Sequence, residues 1–287
     1  MNTIELISSE PQDVPELGRI CFEAFRSIHD RHGFARDFPD IETAVKVVGL
    51  MSASPGVFGV AAREGERLLG SNFLLLTDSV GGVGPITIDP TFHGRGVGRR
   101  LMQAVLDHAA GHGIERVRLM QDSFNTASLS LYASLGFDIR EPIGVLSAPP
   151  SGAADPTIRL ATASDLPTLG RLSAHLYKAS RAGEVEQWMG NGIPFLMRET
   201  DGEIRGYLGP GKLGHGVMQT EADALALIGE LARHAPPGME KFFLPLRLTS
   251  LYRAALQSGC RLIKVMTLMT RGPYEAPEGI WMPSVLY

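Results

Sequence analysis

Gly94, Gly96 and Gly98 stand at every second position of FHGRGVGRR, directly after the strand-like run ITIDP and at the start of a helical pattern. A glycine loop at such a junction makes an anion site: freed main-chain N–H groups and the positive end of the helix dipole point the same way, and missing side chains let a ligand reach the backbone. Arg95, Arg99 and Arg100 gather at the same helix start, where the dipole disfavours cations unless an anion offsets it. Two nucleotide-binding patterns do not fit. A P-loop ends in Gly-Lys-Ser/Thr, whereas Gly98 is followed by Arg99. A dinucleotide fingerprint needs G-x-G-x-x-G in a parallel βαβ unit, whereas this loop is G-x-G-x-G after three strands in succession.

The elements that must position the loop follow from apolar periodicity. TIELI reads as a strand, and PQDVPELGRICFEAFRSIHD as an amphipathic helix. RHGFARDFPD breaks the pattern, and IETAVKVVGLMS resumes a shorter helix. VFGVAARE, RLLGSNFLLLTDS and VGPITIDP form a meander of strands. After the loop come a helix, the strand RVRLMQD, the helix NTASLSLYASLG and the strand FDIREPIGVL, for an order βααβββαβαβ. SAPPSGAADP is small, polar and proline-rich and reads as a linker, so the predicted organisation is a domain over 1–148, a linker over 149–156 and a second domain over 157–287.

The second domain begins as the first does: TIRLATASDLPTLGRLSAHLY mirrors the opening strand and helix. Setting Gly259 against Gly136 places Phe242 and Phe243 on Leu119 and Met120, and Ile228 on Val105, so the chain reads as an internal duplication. Composition narrows the partners. Lys and Arg total 27 against 31 Asp and Glu, for a net charge of −4, and no basic stripe tracks a phosphate backbone, which argues against nucleic acid. Two distant cysteines give neither a disulfide framework nor a zinc site, and no apolar stretch reaches bilayer-spanning length. A soluble, cytoplasmic protein without a membrane partner is expected; the sequence leaves its oligomeric state open.

ITIDPTFHGRGVGRRLM and NTASLSLYASLGF, in this strand order, resemble the GNAT superfamily of acyl-CoA-dependent N-acyltransferases over residues 1 to about 148. The family motif Arg/Gln-x-x-Gly-x-Gly/Ala falls on His93, Gly96 and Gly98, with His93 departing from the usual Arg or Gln. The resemblance implies an α+β fold of two tandem GNAT-like domains, each a mixed, mainly antiparallel sheet flanked by helices. It implies acetyl-CoA as acyl donor, no metal, and an amine acceptor, expected to be a small molecule. Coenzyme contacts would come from Ile86, Ile88, His93, Gly94, Arg95, Gly96, Val97, Gly98, Arg99, Asn125 and Tyr132. A main-chain amide near Ile88 would polarise the acyl carbonyl, and Tyr132 would protonate the departing thiolate, the chemistry that amine attack on a thioester requires.

Asp122, at the end of its strand, is the candidate general base. His29, Asp30, His32, Asp37 and Asp40 are expected in the loop between the first two helices, which in this family lines the acceptor pocket; their ordinary role is that of solvated loop residues. In the second half Gln219 and Glu221 replace Gly96 and Gly98, Leu248 replaces Asn125, and Ala255 replaces Tyr132, so that half keeps the shape without the chemistry. A different class remains open beside the enzyme: an acyl-CoA-binding sensor that does not turn over.

Overall fold

The computed structural model describes residues 4–287. These form two compact units. Unit 1 holds the described residues up to 119 together with 124–138 and 270–272, and unit 2 holds 120–123, 139–269 and 273–287.

In unit 1 the strand β1 (Ile4–Ser8) leads into α1 (Val14–His32), whose face of Leu17, Ile20 and Cys21 is fully buried. The helix runs past the expected break, so His29, Asp30 and His32 belong to its last turn rather than to a loop. Gly33, left-handed at φ 70°, ends it. Asp40 caps α2 (Ile41–Ala53), its side chain accepting from the Thr43 amide at 2.7 Å, which accounts for a carboxylate at that position. The strands β2 (Val57–Glu64), β3 (Arg67–Leu75) and β4 (Gly81–Val83) continue the sheet from β1 as antiparallel neighbours.

The run read as one strand, VGPITIDP, is broken in two. A cis peptide joins Gly84 to Pro85, and the chain resumes as β5 (Thr87–Ile88), which pairs with β3 alone. Proline has no N–H to donate to a ladder, so a break there is expected physically. Next come α3 (Val97–Gly111), β6 (Val117–Asp122) and α4 (Thr126–Ser134). β6 is parallel to β4 at Gly81↔Val117 and Gly82↔Arg118. On α3 the residues Val97, Leu101, Met102, Val105, Leu106 and Ala109 form the buried face, which fixes the helix start beneath the glycine loop.

Unit 2 contains β7 (Asp138–Ser147) from Ile139 on, then β8 (Ile158–Leu160), α5 (Leu166–Tyr177), α6 (Ala182–Gly190), β9 (Leu196–Thr200), β10 (Glu203–Leu208), β11 (Gly216–Met218) and α7 (Glu221–His234). It closes with β12 (Lys241–Pro245), α8 (Thr249–Gln257), β13 (Arg261–Arg271) as far as Met269, and β14 (Ile280–Met282). One sheet runs β14-β11-β10-β9-β8, and its core of Leu227, Ile228, Leu231, Phe242 and Leu251 is buried.

The compact units do not divide at the 149–156 stretch. β7, read with the sequence before it, pairs antiparallel with β12, setting Leu146 against Phe242 and Val145 against Phe243. β13 is the neighbour of β7 on its other side. Alternating apolar residues mark a strand but do not name its partner, so a terminal strand that pairs with later chain is invisible to pattern reading.

The candidate coenzyme and acyl-transfer site

A cavity of about 380 Å³ opens in unit 1 against the glycine loop. Its wall combines the loop (His93, Gly94, Gly96, Val97, Gly98, Arg99), the broken strand (Ile86, Thr87, Ile88), α1 (Ala24, Phe25, Ile28, Arg31) and the start of α4 (Asn125, Ala127, Ser128, Leu131). The lining has two arginines and a histidine and no carboxylate.

The loop conformation answers why side chains are missing. Gly94 and Gly96 have φ of 80° and 77°, the left-handed region that side chains resist, and a Cβ at either would meet nothing within 4 Å. Open space therefore lies over both. Gly98 differs: it is helical, and a Cβ there would come 3.1 Å from Ile88 Cδ1 and 3.3 Å from Leu131 Cδ2, both on the cavity wall. Gly96 is the N-cap of α3 and offers no side-chain hydrogen bond to the first-turn amides. Those N–H groups and the dipole are left for a ligand.

The arginines are less uniform than their spacing suggests. Arg95 is turned to Glu64 at 2.6 Å and lies over the Phe92 ring, and it is not on the wall. Its guanidinium holds the Glu64 carboxyl below the usual range. Arg100 donates to the Ile4 carbonyl at 2.7 Å. Of these three, Arg99 alone lines the cavity, while donating to Ser134 Oγ at 2.7 Å. Pairing along the chain's own strands, unreadable from spacing, thus explains two of the three cations. Asp89, just before the loop, braces it by accepting from the Thr91 amide at 2.9 Å and from Arg67 at 3.0 Å. Burial pushes its carboxyl up, but these donors outweigh burial and hold it low.

β5 carries the Ile88 amide. The Asp89 N–H donates to the Leu69 carbonyl at 2.8 Å, and β3 and β5 register Gly70 on Ile88. Successive amides of a strand point to opposite sides, so the Ile88 N–H is directed away from β3, on the side where β5 has no strand partner. Ile88 also lines the cavity.

Asn125 caps α4, its side chain accepting from the Ser128 amide at 3.3 Å, and it lines the cavity. Tyr132 lies one turn behind Ser128, is 5% exposed and is not on the wall. Burial pushes its hydroxyl up to about 12, opposed by a hydrogen bond with Ser128, a wall residue. Asp122 is also absent from the wall; it is buried in unit 2 with Lys264 Nζ 2.7 Å away. Lys264 is far along the sequence, so nothing near Asp122 announces that partner. His29 is fully buried, its Nδ1 2.8 Å from the Phe25 carbonyl and its Nε2 3.6 Å from Asp37.

Reading the sequence for motifs missed the α1 contribution. Ala24, Phe25, Ile28 and Arg31 follow helical spacing, and the apolar members look like ordinary core. The signal that separates them is Arg31, a cation in line with an apolar stripe.

In unit 2, α7 begins at Glu221 where α3 begins at Val97, which puts Thr220 rather than Gln219 at the place of Gly96. Thr220 and Asp223 form a capping box: Thr220 Oγ1 accepts from the Asp223 amide at 3.2 Å, and Asp223 accepts from the Thr220 amide at 3.1 Å. Arg198 sits 3.1 Å from the same carboxylate. The helix thus carries its own anion where α3 leaves an opening. Asn125 and Tyr132 correspond to Leu248, an N-cap without a side-chain bond, and to buried Ala255.

A mixed, mainly antiparallel sheet flanked by helices, with a glycine loop at a helix start, defines an α+β acyltransferase-like fold in tandem. Residues 14–137, less than half of the chain, match the Acetyltransferase (GNAT) family. It is 38% identical over 88 residues to a mycothiol acetyltransferase of a Nocardioides species, covering 27% of this chain and 30% of that protein. It is also 38% identical over 92 residues to the N-alpha-acetyltransferase RimI of Mycobacterium tuberculosis, covering 30% of this chain and 54% of that protein. The matched part is thus less than a third of the mycothiol enzyme's length. Two solved structures extend the fold likeness to nearly the whole chain. One, from Pyrococcus horikoshii and described as a candidate acetyltransferase, superposes with a TM-score of 0.79 at 13% identity, covering 98% of this chain and 94% of the other. A GCN5-related N-acetyltransferase from Sphaerobacter thermophilus gives 0.57 at 15% identity, covering 96% and 97%. Among the described residues no helix is long and apolar enough to cross a membrane.

Proposed function

We propose that the chain is an acyl-CoA-dependent N-acyltransferase that moves an acetyl group from acetyl-CoA to an amine at the unit 1 cavity. The observation that supports it most is the α3 start: left-handed Gly94 and Gly96 under open space, an N-cap without a side-chain bond, and no carboxylate on the wall. A diphosphate fits that donor set, and a side chain at any of these glycines would obstruct it or strain the loop. When bound, the coenzyme supplies the thioester whose acyl carbon the amine attacks.

The chain's own groups do the rest. The amides of residues 94–98 and the α3 dipole hold the diphosphate, with Arg99 and His93 beside it. Asn125 orients the arm of the donor along α4. The Ile88 N–H takes the negative charge that develops on the carbonyl oxygen. As the C–N bond forms and the C–S bond breaks, Tyr132 gives its proton to the sulfur by way of Ser128; with its hydroxyl near 12 it is protonated throughout the neutral range. The attacking nitrogen loses its extra proton to water or to a neighbouring base; Asp122 is not assigned that part, because Lys264 engages it and it stands off the wall.

The two relatives carry different names, mycothiol acetyltransferase and N-alpha-acetyltransferase, and so do not agree on one acceptor. The matches to them span 27% and 30% of this chain, so they support the transfer and not the acceptor; a small-molecule amine in a cytoplasmic setting is our reading. The test is thiol release from acetyl-CoA with a panel of amines. Turnover is expected with at least one amine, whereas coenzyme binding with no turnover would replace the enzyme by a sensor.

A further inference from the structure

Besides Arg99 at the glycine loop, the cavity wall carries a second guanidinium, that of Arg31 on α1. Along α1 and the turn after it, Arg19 pairs with Glu16 at 2.6 Å, Arg26 pairs with Glu23, and Arg36 pairs with Asp30 at 2.7 Å. Arg31 has no carboxylate partner among the described residues, is exposed, and is the only one of the four on the cavity wall. Arginines of this stretch are otherwise neutralised one by one. The exception coincides with the cavity.

Its position within unit 1 follows from the helix. Arg19, near the start of α1, approaches Asp89 at 4.0 Å, just before the glycine loop. Arg31 is twelve residues on, about 18 Å along the axis. At that end the His32 ring is 5.3 Å from the ring of Phe124, which precedes the wall residue Asn125. On α4, Asn125 is in turn about 9 Å from Leu131, the residue that meets Gly98. Arg31 therefore stands at the far end from the phosphate loop, where an incoming acceptor would lie. Phe25 on the wall and the Phe34–Phe124 stack, with ring centroids 4.3 Å apart, give that end an aromatic border.

The geometry points to an acceptor amine that also bears a carboxylate, held by the Arg31 guanidinium. A planar guanidinium matches a carboxylate through two parallel hydrogen bonds, and a wall with no acid of its own adds no competitor. The inference rests on the transfer reading given above. An arginine in a last helical turn is also favoured by the dipole alone, so the test must show more than loss of a surface charge.

L-amino acids and their carboxamides are used as matched acceptors with acetyl-CoA, following thiol release for the full-length wild type, Arg31→Gln and Arg31→Lys. Comparing the ratio of kcat/KM between the two acceptors across proteins cancels the different reactivity of their amines. The wild type is expected to favour the carboxylate, and Arg31→Gln to lower the ratio roughly ten- to hundredfold, with partial recovery in Arg31→Lys and unchanged acetyl-CoA affinity by calorimetry. An unchanged ratio, a wild-type preference for carboxamides, or a parallel loss of acetyl-CoA affinity would overturn the inference while leaving transfer intact. No thiol release from either acceptor set, with turnover of some other amine in the wider panel, would overturn the inference alone; coenzyme binding without thiol release from any amine of the panel would overturn the transfer reading itself, and the inference with it.

Discussion

Gly98→Val separates a ligand-binding glycine from a packing glycine. A Cβ at this position would lie 3.1 Å from Ile88 Cδ1 and 3.3 Å from Leu131 Cδ2, so one methyl is accommodated only if both neighbours yield by a few tenths of an ångström. Valine adds two further methyls, and overpacking of that kind costs about 1–3 kcal/mol. Replacing a helical glycine returns roughly 0.3–0.5 kcal/mol of propensity. The net loss of about 0.5–2.7 kcal/mol leaves a typical protein folded. The neighbours that must give way both line the cavity, so the cost falls on the coenzyme as well. Losing even one charge-assisted bond from a first-turn amide to the diphosphate is worth about 1.5–3 kcal/mol, or roughly ten- to more than a hundredfold in Kd. Calorimetry with coenzyme A, beside circular dichroism to confirm folding, reads both quantities. Gly98→Ala is the control, with near wild-type stability and a smaller shift in Kd. Wild-type affinity in folded Gly98→Val would refute the claim that this turn carries the ligand.

Three further outcomes are expected. Tyr132→Phe should keep coenzyme affinity and lower kcat by about 10²- to 10⁴-fold; wild-type kcat would return Tyr132 to a purely packing role. Thr220→Ala should cost about 1 kcal/mol in urea unfolding through the lost cap on α7 without changing coenzyme stoichiometry, and a gained second site would contradict the self-capped reading. Asp165 accepts from Arg159 and from the Thr162 amide, and the Arg159 bond holds its carboxyl well below the usual range, so its contribution is present above about pH 4 and lost as pH falls through the lowered folded value. Asp165→Asn should therefore destabilise by about 1–2 kcal/mol at pH 7 and converge with wild type in acid; a difference that does not vary with pH would show that the charge is irrelevant.

The glycine loop was legible because its chemistry is local: three residues, one junction, one dipole. The helix pair α1 and α2 was legible as periodicity, but the stop of α1 was not, since Arg31 and His32 look like loop residues until Gly33 is seen to take the left-handed cap. The break at Gly84–Pro85 could have been read from the proline, which cannot serve the middle of a ladder. Partners distant in sequence were not legible. Arg95 finds Glu64, Asp122 finds Lys264, and β7 finds β12, each through tertiary approach that composition does not encode. The same limit hid the cavity role of Ser128 and Leu131, whose helical spacing is that of any buried face.

The central claim is that one coenzyme binds per chain, at the α3 start and not at the α7 start. A crystal structure of the full chain grown with acetyl-CoA tests it directly. The account predicts diphosphate density within hydrogen-bonding distance of the amides between Gly94 and Gly98, the thioester carbonyl directed at the Ile88 N–H, and no coenzyme density at Thr220–Asp223. Density at the α7 start, or a coenzyme bound elsewhere with the glycine loop bare, would contradict it.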